Sequence, residues 1–198
     1  MKWKKGFELS VNFIVIIIIS LVVFVGGIVF TNKFFNLASD YKDTLDKDTE
    51  QQIENLLNDG SKVAIAFEKK KVVRGSSAIF GLGINNVKPT QETFEVTMTF
   101  SKAYSANNSE ITETSKNYIN THWIFASIGT YLAEPHSHVA VPIHVQSQGL
   151  INDNAAIIKG TYVFDVCVCT THNPCSDCSP SEPNLYDGYV HKIYLEVT

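Results

Sequence analysis

Arginine is nearly missing from this chain. Of 16 basic residues, only Arg74 carries a guanidinium. Bidentate clamping of phosphate needs that planar fork, so recognition of this kind is not expected. A net charge of −4 leaves no bulk basic surface, so nucleic acid is not an expected partner. Catalytic signatures are scarce as well. No serine sits in a nucleophile elbow. Gly81-x-Gly83 lies in a strand-like run, not at the strand-to-helix turn of a phosphate-binding loop. The carboxylates are scattered through polar segments, as on a solvated surface. The expectation is a protein that is not an enzyme and uses no cofactor. The chain also shows no internal repeat and no cysteine before position 167.

Charge is missing most conspicuously from residues 11–30, where Ile, Val, Leu and Phe dominate. Twenty helical residues at about 1.5 Å each span roughly 30 Å, the thickness of a bilayer's hydrocarbon core. Lys2, Lys4 and Lys5 precede this run, whereas Thr31 to Tyr41 holds one Lys and one Asp. The basic flank places the N-terminus in the cytoplasm and everything after Thr31 outside. The run is too long for the apolar region of an ordinary secretory signal, and no small-x-small cleavage site ends it.

The junction Lys4-Lys5-Gly6, then Phe7-Glu8-Leu9-Ser10, then the apolar run, resembles a type IV prepilin leader, the class III signal peptide common in archaea. The resemblance implies that a prepilin peptidase cuts between Gly6 and Phe7. It also implies that the mature helix packs in the core of a filament. Glu8, second after that cut, is the candidate for setting helix register; bacterial pilins carry their Glu fifth. A plain signal anchor is the alternative reading of the same residues. Gly26-Gly27 would permit close helix packing in a membrane or merely kink the helix.

Residues 32–60 read as a helical stalk. Asp48 can cap a helix and Gln51 can reach back to it. Ile53, Leu56 and Leu57 share a face, and Gly60 is placed to end the helix. That predicts a helix over 49–58 with its apolar face on the domain that follows.

Beyond Gly60 the period changes to that of strands. The expected strands are 62–67, 72–75, 77–85, 93–100, 123–128, 139–145, 159–168 and 189–197, with Lys69-Lys70-Lys71 as a polar turn. In 77–85 the glycines 81 and 83 fall on one face, which suggests a bulge or a close backbone approach. Pro142 argues for an edge strand or a bulge. Residues 101–121 read as a long polar surface loop, and Asn107-Asn108-Ser109 within it is a glycosylation sequon. Short strands separated by turn clusters predict an all-β fold, an antiparallel β-sandwich, over 61–198. Gly160, Tyr162 and Phe164 resemble the tyrosine corner of immunoglobulin-like domains, with Phe where antibodies have Cys. The run from 139 to the end is similar to immunoglobulin-like domains of archaeal surface proteins.

Cys167, Cys169, Cys175 and Cys178 allow two readings. One is a pair of disulfides, the other a four-thiolate zinc or iron site. An outside location favours disulfides, with connectivity open, so no metal is expected. Cys167 and Cys169 point the same way on a strand, which favours each reaching a cysteine in the loop beyond. His136, His138 and His144 have even spacing, but nothing local brings carboxylates to them, and exposed histidines are the simpler reading.

Together these readings give a leader over 1–6, a transmembrane or pilin-like helix over 7–31, a stalk over 32–60 and an immunoglobulin-like β-sandwich over 61–198. The expected function is that of a membrane-anchored, single-pass surface subunit, with filament assembly or ligand binding as the two alternatives. Its expected partners are the membrane, a prepilin peptidase and, in a filament, itself or other pilin-like subunits.

Overall fold

Phe80, Leu82 and Ile84 alternate along the chain with Gly81 and Gly83. That alternation gives one strand two unlike faces, and both are used. The computed structural model describes residues 15–21, 24, 47–125, 129–176 and 178–198. The chain divides into Met1–Thr44 and Leu45–Thr198. In the first unit, residues 15–21 and 24 are helical with exposed side chains. Among the described residues no helix is long and apolar enough to cross a membrane. Most of the expected span over 7–31 lies outside the described residues, as do Gly6, Phe7 and Glu8.

The second unit holds two helices and nine strands among its described residues. They are α1 (Lys47–Asn58), β1 (Val63–Ala66), β2 (Lys69–Val72), β3 (Ser77–Asn85), β4 (Glu92–Ser105), α2 (Lys116–His122), β5 (Ile124–Phe125), β6 (Gly129–Ala133), β7 (His138–Gln146), β8 (Gly160–Thr170) and β9 (His191–Val197). One sheet has the order β1-β3-β7-β5, the other β2-β9-β8-β4-β6. All pairings are antiparallel except β2 with β9. Phe80, Leu82, Ile84, Val141 and Ile143 from the first sheet join Phe94, Val96, Phe100, Phe164, Val166 and Ile193 from the second in one buried core.

The strand order defines the class. Here β3 pairs with β7 in one sheet, while β8 lies between β4 and β9 in the other, as B–E and C–F–G do in immunoglobulin domains. The first strand is split between the sheets, β1 beside β3 and β2 parallel to β9. Phe67, with φ 56°, turns the chain between them. At the start of β8 the Tyr162 hydroxyl donates to the Ile158 carbonyl at 2.8 Å, which is the expected tyrosine corner. Burial pushes the pKa of this phenol up to about 12. The domain is an immunoglobulin-like β-sandwich, with one departure. The place beside β7 is taken by β5, which the chain reaches before β6.

Several expectations need correction. Lys69-Lys70-Lys71 is not a turn but belongs to edge strand β2. Its pairing with β9 needs only backbone, and Glu196 on β9 pairs with Lys69 at 2.8 Å and Lys71 at 3.0 Å. Lys69 first, then Lys71, holds the Glu196 carboxyl below its usual range. The loop expected over 101–121 is shorter, because β4 runs on to Ser105 and α2 occupies 116–122. Ser115 caps α2 by accepting from the Tyr118 amide. Only Ile119 of α2 is buried, so no apolar stripe betrayed it. What fixes the helix is Asn120. Its Oδ1 accepts the Phe100 amide at 2.6 Å, beside a β4 bulge, and its Nδ2 donates to Thr99 Oγ1 at 3.0 Å. Of the strand expected over 123–128, Trp123 caps the end of α2, Ile124–Phe125 form β5, and 126–128 lie outside the described residues. Pro142 sits opposite Gly81, past the two residues that β5 pairs, so it meets an open edge although β7 is formally internal.

The outer face of the first sheet explains its small residues. Ala64, Gly83 and Ala140 form one cross-strand row. Ile53 and Leu57 of α1 are buried against this face with Ala64 and Ala66, and Leu56 and Ala140 pack at the margin. A Cβ on Gly83 would come within 2.3 Å of Ile53 Cγ2 and 2.9 Å of Leu57 Cδ1. The glycine marks a close approach, and the last turns of the stalk are part of the sandwich unit. Burying the two side chains stabilises their seating by about 2 kcal/mol each.

Gly83→Ala is expected to destabilise the domain by about 1–3 kcal/mol in urea unfolding, since the added methyl must displace α1. The same change in an Ile53→Ala background should cost less, because truncation frees the space. Gly160→Ala should cost more than Gly83→Ala, as its Cβ would meet the Tyr104 backbone oxygen at 2.2 Å.

Candidate functional site

One end of the sandwich carries most of the irregular chemistry. Three connections meet there: 86–91 between β3 and β4, 134–137 between β6 and β7, and 171–190 between β8 and β9. The corresponding end of antibody variable domains carries the antigen-binding loops.

The longest connection begins by folding back. Asn173 donates its amide to the Thr170 carbonyl at 3.0 Å. Cys175 then bonds to Cys169, and Cys178 to Cys167, with Cα separations of 5.6 and 5.5 Å. The nearer partner in sequence takes the upper cysteine and the farther one the lower, so the segment runs back along the outer face of β8. Cys167 and Cys169 are fully buried there, opposite the core residues Val166 and Val168. Disulfides are thus formed at all four cysteines, and the two outward thiols of β8 each reach the following loop. Glu182, buried, ties the segment together by accepting the Ser176 amide and hydroxyl and the Asn184 amide.

The second half of the connection is fixed by Tyr186. Its ring meets Phe94 edge-on at 4.6 Å, and Lys62 Nζ stands 5.3 Å from its centroid. Its amide donates to the Val168 carbonyl at 2.7 Å. Its hydroxyl donates to the Asn85 carbonyl at 2.9 Å and accepts the Val87 amide at 3.3 Å. Asn86 does the same work between the other two loops. It is fully buried, and its Nδ2 lies 2.9–3.1 Å from the carbonyls of Thr90, Ala133 and Glu134. Its Oδ1 accepts the Lys88 amide. The three loops therefore form one stitched platform, on which Tyr189 is 71% and Val87 45% exposed.

Glu92, buried at the start of β4, accepts a hydrogen bond from Lys88 and lies 3.1 Å from His172 Nδ1. The Lys88 contact first, with His172 adding to it against the cost of burial, holds the Glu92 carboxyl below its usual range. Two other histidines have carboxylate neighbours: His191 lies 2.7 Å from Asp187, and His138 lies 3.7 Å from Glu54 on α1. These are pairs and do not converge. His138 and His144 do share a face of β7, but they stand opposite Asn85 and Ile79, far apart along β3. His136 lies in the turn before β7, with φ 53°. Partial burial lowers the His144 pKa. Among the described residues no three His, Cys, Asp or Glu side chains are grouped to hold a metal.

Asn107 is exposed in the turn after β4, away from this platform. Gly6, Phe7 and Glu8 fall outside the described residues. Sequence reasoning missed Asn86, Glu92, Glu182 and Tyr186. Their partners are backbone groups and side chains supplied by other loops, which no local pattern announces.

No family model matches the chain, and no curated protein matches it. Several solved structures are similar at low identity. The ASH/PapD-like domain of human CEP192 is 14% identical over 69% of this chain and 84% of its own, with a TM-score of 0.39. A family 123 glycoside hydrolase from Clostridium perfringens is 13% identical over 69% of this chain and 27% of its own, with a TM-score of 0.39. The CssB subunit of colonization factor CS6 from enterotoxigenic Escherichia coli, complemented with a donor strand from CssA, is 11% identical over 70% of this chain and 99% of its own, with a TM-score of 0.38. The strand order and tyrosine corner of this chain define the immunoglobulin-like class by themselves.

Replacing all four cysteines by serine should lower stability by about 2–4 kcal/mol, less than two independent bridges would, because one loop is nested in the other. Limited proteolysis should then cut first within 171–180. Glu92→Gln should cost about 1 kcal/mol at neutral pH. The lowered Glu92 pKa contributes stability that is present above the unfolded carboxylate value and lost as pH falls through the folded one. The gap between wild type and Glu92→Gln in chemical unfolding should accordingly close as the pH is brought down into the acid range.

Proposed function

We propose that the chain is a membrane-anchored, pilin-like surface subunit, structural rather than catalytic. Its apolar N-terminal segment sits in the membrane with the N-terminus inside, and the β-sandwich is displayed outside. The observation that carries this reading is the seating of α1. The helix that follows the apolar segment in sequence is built into the sandwich through Ile53 and Leu57 on Gly83, Ala64 and Ala66. With this seating, a load on the helix of a domain held by its N-terminal side reaches the core directly. The two disulfides support an outside location, where oxidised cysteines persist.

In this reading a prepilin peptidase cuts between Gly6 and Phe7. The released helix, with Glu8 near its start, then packs against the helices of other copies or other pilin-like subunits in a surface filament for attachment. A second reading is a non-polymerising ectodomain that binds a surface ligand. The exposed Tyr189 and Val87 on a platform braced by disulfides favour it.

Mass spectrometry of the mature chain from native membranes is expected to find Phe7 at the N-terminus. An intact Met1 would sink the processing claim. Electron microscopy of the same cells separates the two readings: filaments containing the chain support the first, and a processed chain never found in filaments supports the second.

A further inference from the structure

The chain contains one Asn-x-Ser/Thr triplet without proline at x, Asn107-Asn108-Ser109. It forms the tip where β4 turns back. The Asn108 amide donates to the Ser105 carbonyl, and the Ser105 amide to the Ser109 carbonyl, both at 2.9 Å. Tyr104 bridges to Glu110, and Lys102 stands 3.7 Å from Glu110, so the stem below the tip is also held. Asn108 takes φ 62°, the left-handed conformation that asparagine tolerates best among residues with a side chain. This is the three-residue hairpin loop in which a turn is followed by one left-handed residue. Ala106, Asn107 and Asn108 are all exposed.

The Asn107 side chain has a definite pose in this turn. Its Oδ1 accepts from the Ser105 hydroxyl at 2.5 Å and from the Ser109 amide at 3.3 Å. Its Nδ2 donates to none of the described residues, so the amide oxygen is held against the turn while the nitrogen is left to solvent.

We infer that Asn107 carries an N-linked glycan, attached through Nδ2 at the exposed tip of the β4 hairpin. The donor class is a lipid-linked glycosyl phosphate, and the transferase is a separate membrane enzyme. In the transfer, Nδ2 attacks the anomeric carbon, the Nδ2–C1 bond forms and the C1–O bond to phosphate breaks. The lipid phosphate leaves with the bonding pair, and an Nδ2 proton passes to a base of the transferase. The inference rests on the reading that this domain is displayed outside. Position gives it a consequence. The 14-residue strand β4 runs from Glu92, at the platform, to Ser105, at the tip. Its steps of about 3.3 Å each add up to roughly 43 Å. The glycan therefore covers the end opposite Tyr189 and the disulfide-bonded loop and leaves the platform bare.

The test is intact-mass and peptide mass spectrometry of the full chain from native membranes, with thiols blocked before digestion. The expected result is one glycan increment on the Asn107 peptide, lost in Asn107→Gln and Ser109→Ala and kept in Ser109→Thr. An unmodified Asn107 peptide from protein with both disulfides intact overturns the inference and leaves the surface reading standing. An unmodified peptide with free thiols overturns both. An increment that survives Asn107→Gln also overturns it.

Discussion

Covering both faces of β8 is the constraint on which the domain depends. This strand is the middle of its five-stranded sheet, and its inward side supplies Tyr162, Phe164, Val166 and Val168 to the core. Its outward side would ordinarily be solvated. Here Asp165 pairs with Lys192, and Cys167 and Cys169 are covered by the segment bonded to them. The disulfides thus hold a piece of loop as a partial third layer over the second sheet, as α1 forms one over the first.

These outer layers answer one problem by different chemistry. A sandwich of this size has little apolar core to spare, and added burial outside the sheets extends it. On the first sheet, small residues lower the surface so that Ile53 and Leu57 can descend onto it. On the second, covalent bonds do the holding, because the segment from Thr171 to Ser181 is polar and rich in turn residues. Non-covalent burial alone would not hold such a segment against its conformational entropy. Tyr186 and Glu182 then order the remainder of the connection through hydrogen bonds.

The three loops at that end gain their rigidity from buried polar groups. Asn86 and Glu92 are both enclosed, and each satisfies its polar atoms with groups from different connections. Buried polar side chains of this kind are costly when unpaired and specific when paired. They fix the loops in one arrangement, which is what a surface presented for contact requires. The hairpin tip at Asn107 lies at the other end of β4, so bracing of the platform and modification of the tip need not interfere.

The sequence alone determined the features that depend on local period or on residue type. Alternation in 77–85, 93–100 and 159–168 marked the core strands, because the two faces of a strand meet different surroundings, whether solvent or a second covering layer. The helix near 49–58 and its apolar face were legible from Gly60, which ends it at φ 91°, and from the spacing of Ile53, Leu56 and Leu57; Asp48, expected as the cap, lies inside the helix, which already includes Lys47. Tyr162 was legible as a corner because its hydrogen bond reaches only four residues back. The disulfide loop was legible because two cysteines two apart on a strand point the same way. Other features were decided by tertiary structure. Lys69–Val72 became a strand only because β9 offered it an edge, and α2 formed around an Asn120 that another element needed at a bulge. Gly83 acquired its meaning from Ile53 and Leu57, thirty and twenty-six positions earlier. The loop platform arose from Asn86, Glu92 and Tyr186, whose partners are distant in sequence. Such contacts leave no periodic trace in the chain, since they depend on where the sheets bring separate loops together.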